Sequence, residues 1–154
     1  MTVYPIRVQI KKTKPEYNIC ETDPNRLLLP FGTVTATTTK RFRFTKGAKI
    51  LKVYAETSAT QATHASNLIS IGAINKGTEG SGTDVIVDGS AAANSNNSTG
   101  GSAYTAYTKR EMTVITTSNV NVLDADEIIE ITITIGGTIS KDINIYIDYV
   151  DVIT

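Results

Sequence analysis

Apolar and polar residues alternate along much of this chain, most clearly near its carboxyl end. In residues 127–135 isoleucine occupies every odd position from 129 onward, with glutamate or threonine between. Residues 143–149 repeat the alternation with isoleucine and then tyrosine. A period of two puts alternate side chains on opposite faces, so both segments are predicted to be half-buried strands. The glycine pair in residues 136–142 predicts a hairpin between them.

The same period predicts six further strands. These are residues 4–10, 33–44, 48–56, 67–73, 84–87 and 111–117. No window places apolar residues at the spacing of an amphipathic helix over three turns. About eight short strands joined by polar or glycine-rich turns predict an all-β fold, an antiparallel two-sheet sandwich that is jelly-roll-like and has long surface loops.

The polar stretch at residues 88–103, DGSAAANSNNSTGGSA, has no branched aliphatic or aromatic residue and one charge. Only about three predicted strands follow it, too few to close a sandwich alone. It is therefore predicted to be a long exposed loop within a single domain, 1–154, and its deletion is expected to leave the fold intact. An N-terminal arm at residues 1–31 is the other extension considered.

Composition narrows the function classes. The chain has 154 residues, with 15 basic and 15 acidic side chains and a formal net charge of zero. Because the cations are scattered, a dedicated nucleic-acid binder is not expected. The single cysteine excludes an internal disulfide framework. No secretory signal is recognisable at the amino terminus, and no run of about 18 apolar residues predicts a membrane helix.

Catalytic and metal sites find little support in the sequence. Cys20 is predicted to be an inert thiol and His64 a surface loop residue, because nothing brings them together as nucleophile and base. Asp124, Asp126 and Glu127 offer hard oxygens for calcium, but they lack the glycine and the ligand spacing of a calcium loop. A solvated turn is the preferred interpretation there, with calcium as the alternative. No enzyme activity and no cofactor are predicted.

Two segments are candidates for protein contacts. Residues 25–31, NRLLLPF, form an apolar run that does not alternate, and it is predicted to plug one end of the sandwich or to dock onto another subunit. Residues 40–46, KRFRFTK, interleave four cations with two phenylalanines. This pattern could stack single-stranded nucleic acid, but a strand with its phenylalanines buried and its arginines forming a basic stripe toward an acidic partner is simpler. The candidate contact residues are Arg26, Leu27, Leu28, Leu29, Phe31, Arg41 and Arg43.

A family resemblance rests on three segments. Residues 44–57 read FTKGAKILKVYAET, residues 67–72 read NLISIG, and the final strand contains YIDYV. Together they resemble small capsid decoration proteins of tailed bacteriophages, also called cement or head auxiliary proteins. The resemblance covers roughly residues 42–72 and 111–153. It implies a jelly-roll or β-sandwich body, a homotrimer that binds the major capsid protein, and a location on the outer surface of the virion capsid.

Three function classes follow. The first is a non-enzymatic virion structural protein that decorates or stabilises a capsid. The second is a carbohydrate-binding or host-receptor-binding β-sandwich, for which the seven tyrosines could supply stacking surfaces although tryptophan is absent. The third, a β-fold enzyme, is disfavoured by the shortage of His, Cys and paired acidic residues. Neither a nucleic acid nor a membrane is expected as a partner.

Overall fold

A computed structural model describes residues 24–74, 83–96, 103–136 and 141–152. Over these ranges the chain forms nine strands and two short 3-10 turns. The strands are β1 (Asn25–Val34), β2 (Thr38–Arg43), β3 (Ala48–Thr57), β4 (Leu68–Ile74), β5 (Thr83–Val87), β6 (Arg110–Met112), β7 (Val122–Leu123), β8 (Ile128–Thr134) and β9 (Lys141–Asp151). Among the residues described, no helix has the length and hydrophobicity needed to cross a membrane.

The strands form two sheets in which every paired neighbour is antiparallel. Sheet A has the order β1-β9-β3-β6, and β7 also pairs with β3. Sheet B has the order β2-β8-β4-β5. The predicted all-β, two-sheet antiparallel architecture is thus confirmed.

The strand pairing is nested from the ends of the chain inward. β1 pairs with β9, β2 with β8, β3 with β6 and β4 with β5. A nested set of this kind arises when one long antiparallel ribbon folds over on itself, which distributes its strands between two sheets. This is the jelly-roll order. β1 and the short β7 are additions to the predicted strands.

The core lies between the isoleucine faces of the two sheets. Ile129, Ile131 and Ile133 of β8 are at most 1% exposed, and the isoleucines of β9 at 143, 145 and 147 are at most 2% exposed. Full burial of such a side chain contributes about 1.5–3 kcal/mol as an upper estimate. The alternation in the sequence therefore identified the inner faces of both strands correctly.

The predicted hairpin between β8 and β9 is wrong. β8 pairs with β2 and β4 in sheet B, whereas β9 pairs with β1 and β3 in sheet A. In one sheet, the two isoleucine faces would lie side by side and both would need a cover. In opposite sheets, each face covers the other, so the connection crosses from one sheet to the other.

The prediction that residues 25–31 lie outside the strands is also wrong, because most of β1 is built from them. Leu27, Leu29 and Phe31 point toward the core and Leu28 points outward, so the alternation is hidden by an outward leucine. Pro30 is tolerated because β1 is an edge strand. The register shifts between Pro30 and Gly32, whose φ is +67°, and this bulge returns Val34 to the core.

Two other strand predictions differ from the structure at their ends. The segment 33–44 contains the end of β1 and all of β2, with a break at residues 35–37. The segment 111–117 shortens to β6 and is followed by a 3-10 turn at Thr117–Asn119. The strand predicted at residues 4–10 lies outside the described residues, as does the proposed arm up to residue 23.

The polar stretch 88–103 is not simply an exposed loop. Asn94, Ser95 and Asn96 are at most 2% exposed, and Ser95 forms a β-bridge with Leu68. These three positions are therefore not exposed as predicted. The side-chain amides of Asn94 and Asn96 form hydrogen bonds with backbone groups inside the fold. Residues 97–102 lie outside the described ranges. Strands before and after the stretch pair within the same sheets.

Candidate protein-contact surfaces

The predicted contact residues do not form one site. Leu27, Leu29 and Phe31 pack against the core, on the opposite side of β1 from Arg26 and Leu28. Arg26 and Leu28 belong to the outer face of sheet A, while Arg41 and Arg43 are exposed on sheet B. The outer faces of the two sheets point in opposite directions, so these two sets of residues do not share a surface.

A row of large side chains crosses the outer face of sheet A. Leu28, Tyr146 and Tyr54 lie opposite one another on β1, β9 and β3. We call this row, with Arg26 and Asp148 beside it, the tyrosine face. Leu28 is 49% exposed, and the two tyrosines are half-buried. Because both tyrosines alternate with core residues, the period of the strands directs them outward.

Arg26 is bound to a nearly buried carboxylate. Its Nε and Nη2 atoms donate to the two carboxylate oxygens of Asp148 at 2.6 and 2.7 Å, and the Asp148 side chain is 6% exposed. The hydrogen bond to Asp148 raises the pKa of Arg26. This two-point pairing compensates a carboxylate that has lost most of its water. Arg26 therefore has a structural role in neutralising the Asp148 carboxylate.

Cations also cover the tyrosine rings. Lys109 Nζ lies 4.1 Å from the centroid of the Tyr146 ring, and the Arg26 guanidinium carbon lies 5.6 Å from that of Tyr54. The Tyr146 hydroxyl donates to Glu56 at 3.4 Å. Sugar recognition by stacking needs an open ring face. On this surface the two rings are already engaged with cations, which favours protein contacts over carbohydrate stacking.

Sheet B presents hydroxyl groups and a shallow depression. The Thr39 and Thr132 hydroxyls are 3.1 Å apart, and Arg41 donates to Glu130 at 2.8 Å. A depression of about 240 Å³ lies over Gly72, where the strand has no side chain, with Val85 at its rim. This face is polar, and it suits a hydrated contact better than a dry one.

A larger crevice opens at the end of the sandwich where β1 begins and β2 and β9 end. It has a volume of about 370 Å³ and is lined by Asn25, Phe42, Arg43, Phe44, Thr45, Lys46, Tyr149 and Asp151. Phe44 packs edge-on against both Phe42 and Tyr149, with centroid distances of 5.1 Å. We call it the aromatic crevice. The phenylalanines are thus buried or half-buried, as the alternation predicted, and are not free to stack with bases.

The crevice lies in the most basic part of the chain. Residues 24–46 contain no acidic residue, although the whole chain is neutral. Their cations are Arg26, Lys40, Arg41, Arg43 and Lys46. Lys46 lies 4.0 Å from Asp151, and Lys40 donates to the Pro30 carbonyl and lies 5.0 Å from the Phe31 ring centroid. In the described part of the chain, Arg43 has no acidic side chain within salt-bridge distance.

The acidic residues suggested for calcium form a hydrogen-bonded turn instead. Glu127 accepts a hydrogen bond from the Asp124 amide at 2.7 Å, and the Asp126 amide donates to the Phe44 carbonyl. No cluster of three or more metal-ligating side chains occurs in the described ranges. His64 accepts a hydrogen bond from the Ser66 amide at 3.2 Å in the loop before β4, and Cys20 lies outside those ranges.

The sequence patterns missed two members of the aromatic crevice. Tyr149 follows the isoleucine face of β9, so its position predicts only core packing, and Asp151 has no distinguishing pattern. The one available signal was in residues 40–46, where cations and phenylalanines alternate. That signal identifies Phe42, Arg43 and Lys46, but the pairing of Asn25 with Tyr149 that completes the crevice depends on tertiary structure.

Comparisons with known proteins give distant similarities. No family model matches the chain, and no curated protein matches it. One solved structure with detectable similarity is that of infectious bursal disease virus, Gx strain. The two chains are 14% identical, the match covers 85% of this chain and 38% of the viral chain, and the TM-score is 0.27. The Gt strain gives 16% identity, 86% and 36% coverage and a TM-score of 0.26.

The VP2 subviral particle of the same virus gives 14% identity, 86% and 36% coverage and a TM-score of 0.23. This chain therefore spans well under half the length of the chains it matches. At TM-scores this low the similarity decides neither fold nor function. The function has to be argued from the residues of this chain.

Proposed function

We propose that the chain is a non-enzymatic virion structural protein that binds the outer surface of a phage capsid and stabilises or decorates it through contacts with the major capsid protein. The observation that carries the proposal is the jelly-roll strand order, an order used by viral capsid domains. Three strands of this order, β3, β4 and β9, lie in the segments that resemble phage decoration proteins.

Those segments correspond to particular parts of the fold. The first covers β3, which lies inside sheet A between β9 and β6, and the second begins β4, which lies inside sheet B between β8 and β5. The third is β9, the neighbour of β3. The resemblance therefore concerns the strands that build the centre of the body. It supports a shared architecture more strongly than shared contact residues.

The surfaces also suit a protein that acts by binding. Both outer faces carry charged and hydroxyl side chains in cross-strand pairs, and the aromatic crevice adds a third, partly apolar surface. Contacts made at several such surfaces at once add through multivalency. A homotrimer belongs to this proposal, since β1 and β2 are edge strands that a second subunit would protect.

Capsid binding can be measured with empty mature phage heads assembled from major capsid protein. Heads mixed with purified chain should sediment with it in saturable amounts, and calorimetry should show that the heads melt at a higher temperature. Light scattering on the free chain should give the mass of a trimer. Absence of co-sedimentation at physiological salt would exclude the capsid-binding role.

A further inference from the structure

The aromatic crevice combines an apolar floor with a cation that has no acidic partner. Phe44 is 4% exposed and forms the floor, while Phe42 and Tyr149 are half-buried walls. Arg43 and Lys46 stand at the rim, with Asp151 as the acidic side chain among the lining residues. A volume of about 370 Å³ falls within the usual range for binding pockets, about 300–1,000 Å³.

The charges select the sign of the ligand. Lys46 and Asp151 are 4.0 Å apart and offset one another, so Arg43 gives the lining a net positive charge. Asp126 and Glu127 lie in the adjoining turn, but they do not line the crevice, and the Glu127 carboxylate accepts the Asp124 amide. A guanidinium at the rim of an apolar pocket favours a carboxylate, which it can bind through two parallel hydrogen bonds.

We propose that the aromatic crevice binds an acidic peptide segment of a partner protein, in which a carboxylate lies next to an apolar side chain. The apolar side chain enters between Phe42 and Tyr149, and the carboxylate pairs with Arg43. β2 ends in the crevice, and within the described ranges β8 is its one strand partner, so the opposite edge of β2 can pair with an extended segment. The inference rests on the proposed function only for the source of the segment, which the capsid protein would supply.

A peptide is favoured over a nucleic acid by the orientation of the rings. Single-stranded nucleic acid binds through aromatic side chains whose faces are open for stacking. Here Phe44 is packed edge-on against both Phe42 and Tyr149, so the three rings are engaged with one another. The floor therefore offers ring edges and a narrow apolar space, which suits one side chain of a peptide.

The test uses the full chain and a labelled peptide, acetyl-Asp-Asp-Phe-Asp-Asp-amide, followed by fluorescence polarisation and by amide chemical shifts. Its lysine counterpart, acetyl-Lys-Lys-Phe-Lys-Lys-amide, controls for charge, and acetyl-Asp-Asp-Gly-Asp-Asp-amide controls for the apolar anchor. We expect the acidic phenylalanine peptide to bind about tenfold more tightly than either control. Its shifts should concentrate at residues 42–46 and 149–151.

Two matched variants locate the site. Arg43→Gln should weaken binding of the acidic peptide about fivefold, whereas Arg41→Gln, two positions earlier on the same strand and outside the crevice, should change it less than about twofold. Both positions are exposed, and unchanged amide spectra will verify the fold. Equal effects of the two variants, equal binding of the acidic and lysine peptides, or displacement of the acidic peptide by oligo-dT would overturn the proposal.

The capsid experiment separates this inference from the proposed function. If the acidic peptide binds at the crevice but the chain does not bind heads, the capsid role fails and the crevice site stands. If the chain binds heads and Arg43→Gln binds them as well as the original chain, the crevice is not the capsid contact. Its assignment to the proposed partner is then overturned.

Discussion

Two kinds of buried region hold this molecule together, and they differ in how visible they are in the sequence. The apolar core between β8 and β9 is built from isoleucines at alternate positions, all nearly inaccessible. The second region is a polar corner around Asn94 and Asn96, which are 1% and 2% exposed and belong to a stretch with no branched aliphatic or aromatic residue. Both regions are buried to a similar degree, one through apolar packing and the other through hydrogen bonds between polar groups.

The polar corner is stable because its amides replace missing backbone partners. Asn94 donates to the carbonyls of Asp88 and Thr113 at 2.9 and 3.3 Å and accepts from the Thr113 amide at 2.6 Å. Asn96 donates to the Ala62 carbonyl at 3.1 Å. A buried backbone group without a partner is costly. The asparagine side chains therefore supply backbone hydrogen-bond partners that a neighbouring strand supplies within a sheet.

Two further asparagines, each close to a strand, follow the same rule. Asn67 accepts a hydrogen bond from the Gly136 amide at 3.0 Å. The Asn121 side-chain amide donates to the Ile50 carbonyl at 2.7 Å, and the Asn121 backbone carbonyl accepts the Ile50 amide, beside the β3 bulge. In this fold, apolar side chains fill the space between the sheets, and asparagines complete the hydrogen bonding where strands end.

The largest expected effect comes from removing an isoleucine of the core. Ile131→Ala should lower the free energy of unfolding by about 3 kcal/mol, since it deletes buried methyl groups and leaves a cavity. Thr132→Ala, the adjacent outward position, should change it by less than about 0.5 kcal/mol. Urea denaturation followed by circular dichroism measures both. Similar losses for the two variants would contradict the assignment of the inner face.

The polar corner should respond almost as strongly. Asn94→Ala removes the partner of the Thr113 amide and one donor to each of two carbonyls, of which the Asp88 carbonyl keeps the Ala91 amide, so a loss of about 2 kcal/mol is expected. Asn144→Ala, on the outer face of sheet A, should cost less than about 0.5 kcal/mol in the same denaturation experiment. If both variants melt like the original chain, the corner contributes nothing and the comparison between the two regions fails.

This contrast explains how much of the structure could be predicted. Alternation identified the inner faces of β8 and β9 because each inward residue is apolar and the period of a strand is fixed. It could not identify strand neighbours, so β8 and β9 were assigned to one hairpin although they lie in different sheets. Pairing depends on how the two isoleucine faces cover each other, which is a property of the complete fold.

The polar corner and the candidate site failed to appear for related reasons. Asparagine in a glycine-rich and serine-rich stretch is typical of a solvated loop, and only its partners show that Asn94 is buried. In β1, an outward Leu28 next to Leu27 and Leu29 concealed the alternation. Arg43 was recognised as an exposed cation, but Tyr149 joins it only through the pairing of β1 with β9.

A third prediction concerns the ion pair on the tyrosine face. Arg26→Gln should destabilise the fold, because it leaves the nearly buried carboxylate of Asp148 without its cation. The double variant Arg26→Gln with Asp148→Asn should recover part of that loss, since neither partner then carries a charge. Strictly additive losses in thermal denaturation would show that the two side chains do not stabilise one another.

The smallest expected effect is a pH dependence at the entrance of the polar corner. The Ser90 amide and hydroxyl donate to Asp88 at 2.9 and 2.8 Å, and these hydrogen bonds lower the pKa of Asp88. A carboxyl whose pKa is lower in the folded state stabilises the fold above its unfolded pKa, about 3.9. That stabilisation is lost as the pH falls through the folded value.

Asp88→Asn keeps an oxygen acceptor for Ser90 but cannot titrate there. Relative to the variant, the original chain should therefore be more stable at neutral pH, by at most about 0.5 kcal/mol at this exposed position, and the difference should disappear as the pH falls through the folded pKa of Asp88. Urea unfolding of both proteins from pH 2 to pH 7 measures it. A difference that stays constant from pH 2 to pH 7 would mean that the charge of Asp88 does not stabilise the fold, since the Asp88 backbone carbonyl that accepts the Asn94 amide is present in both proteins.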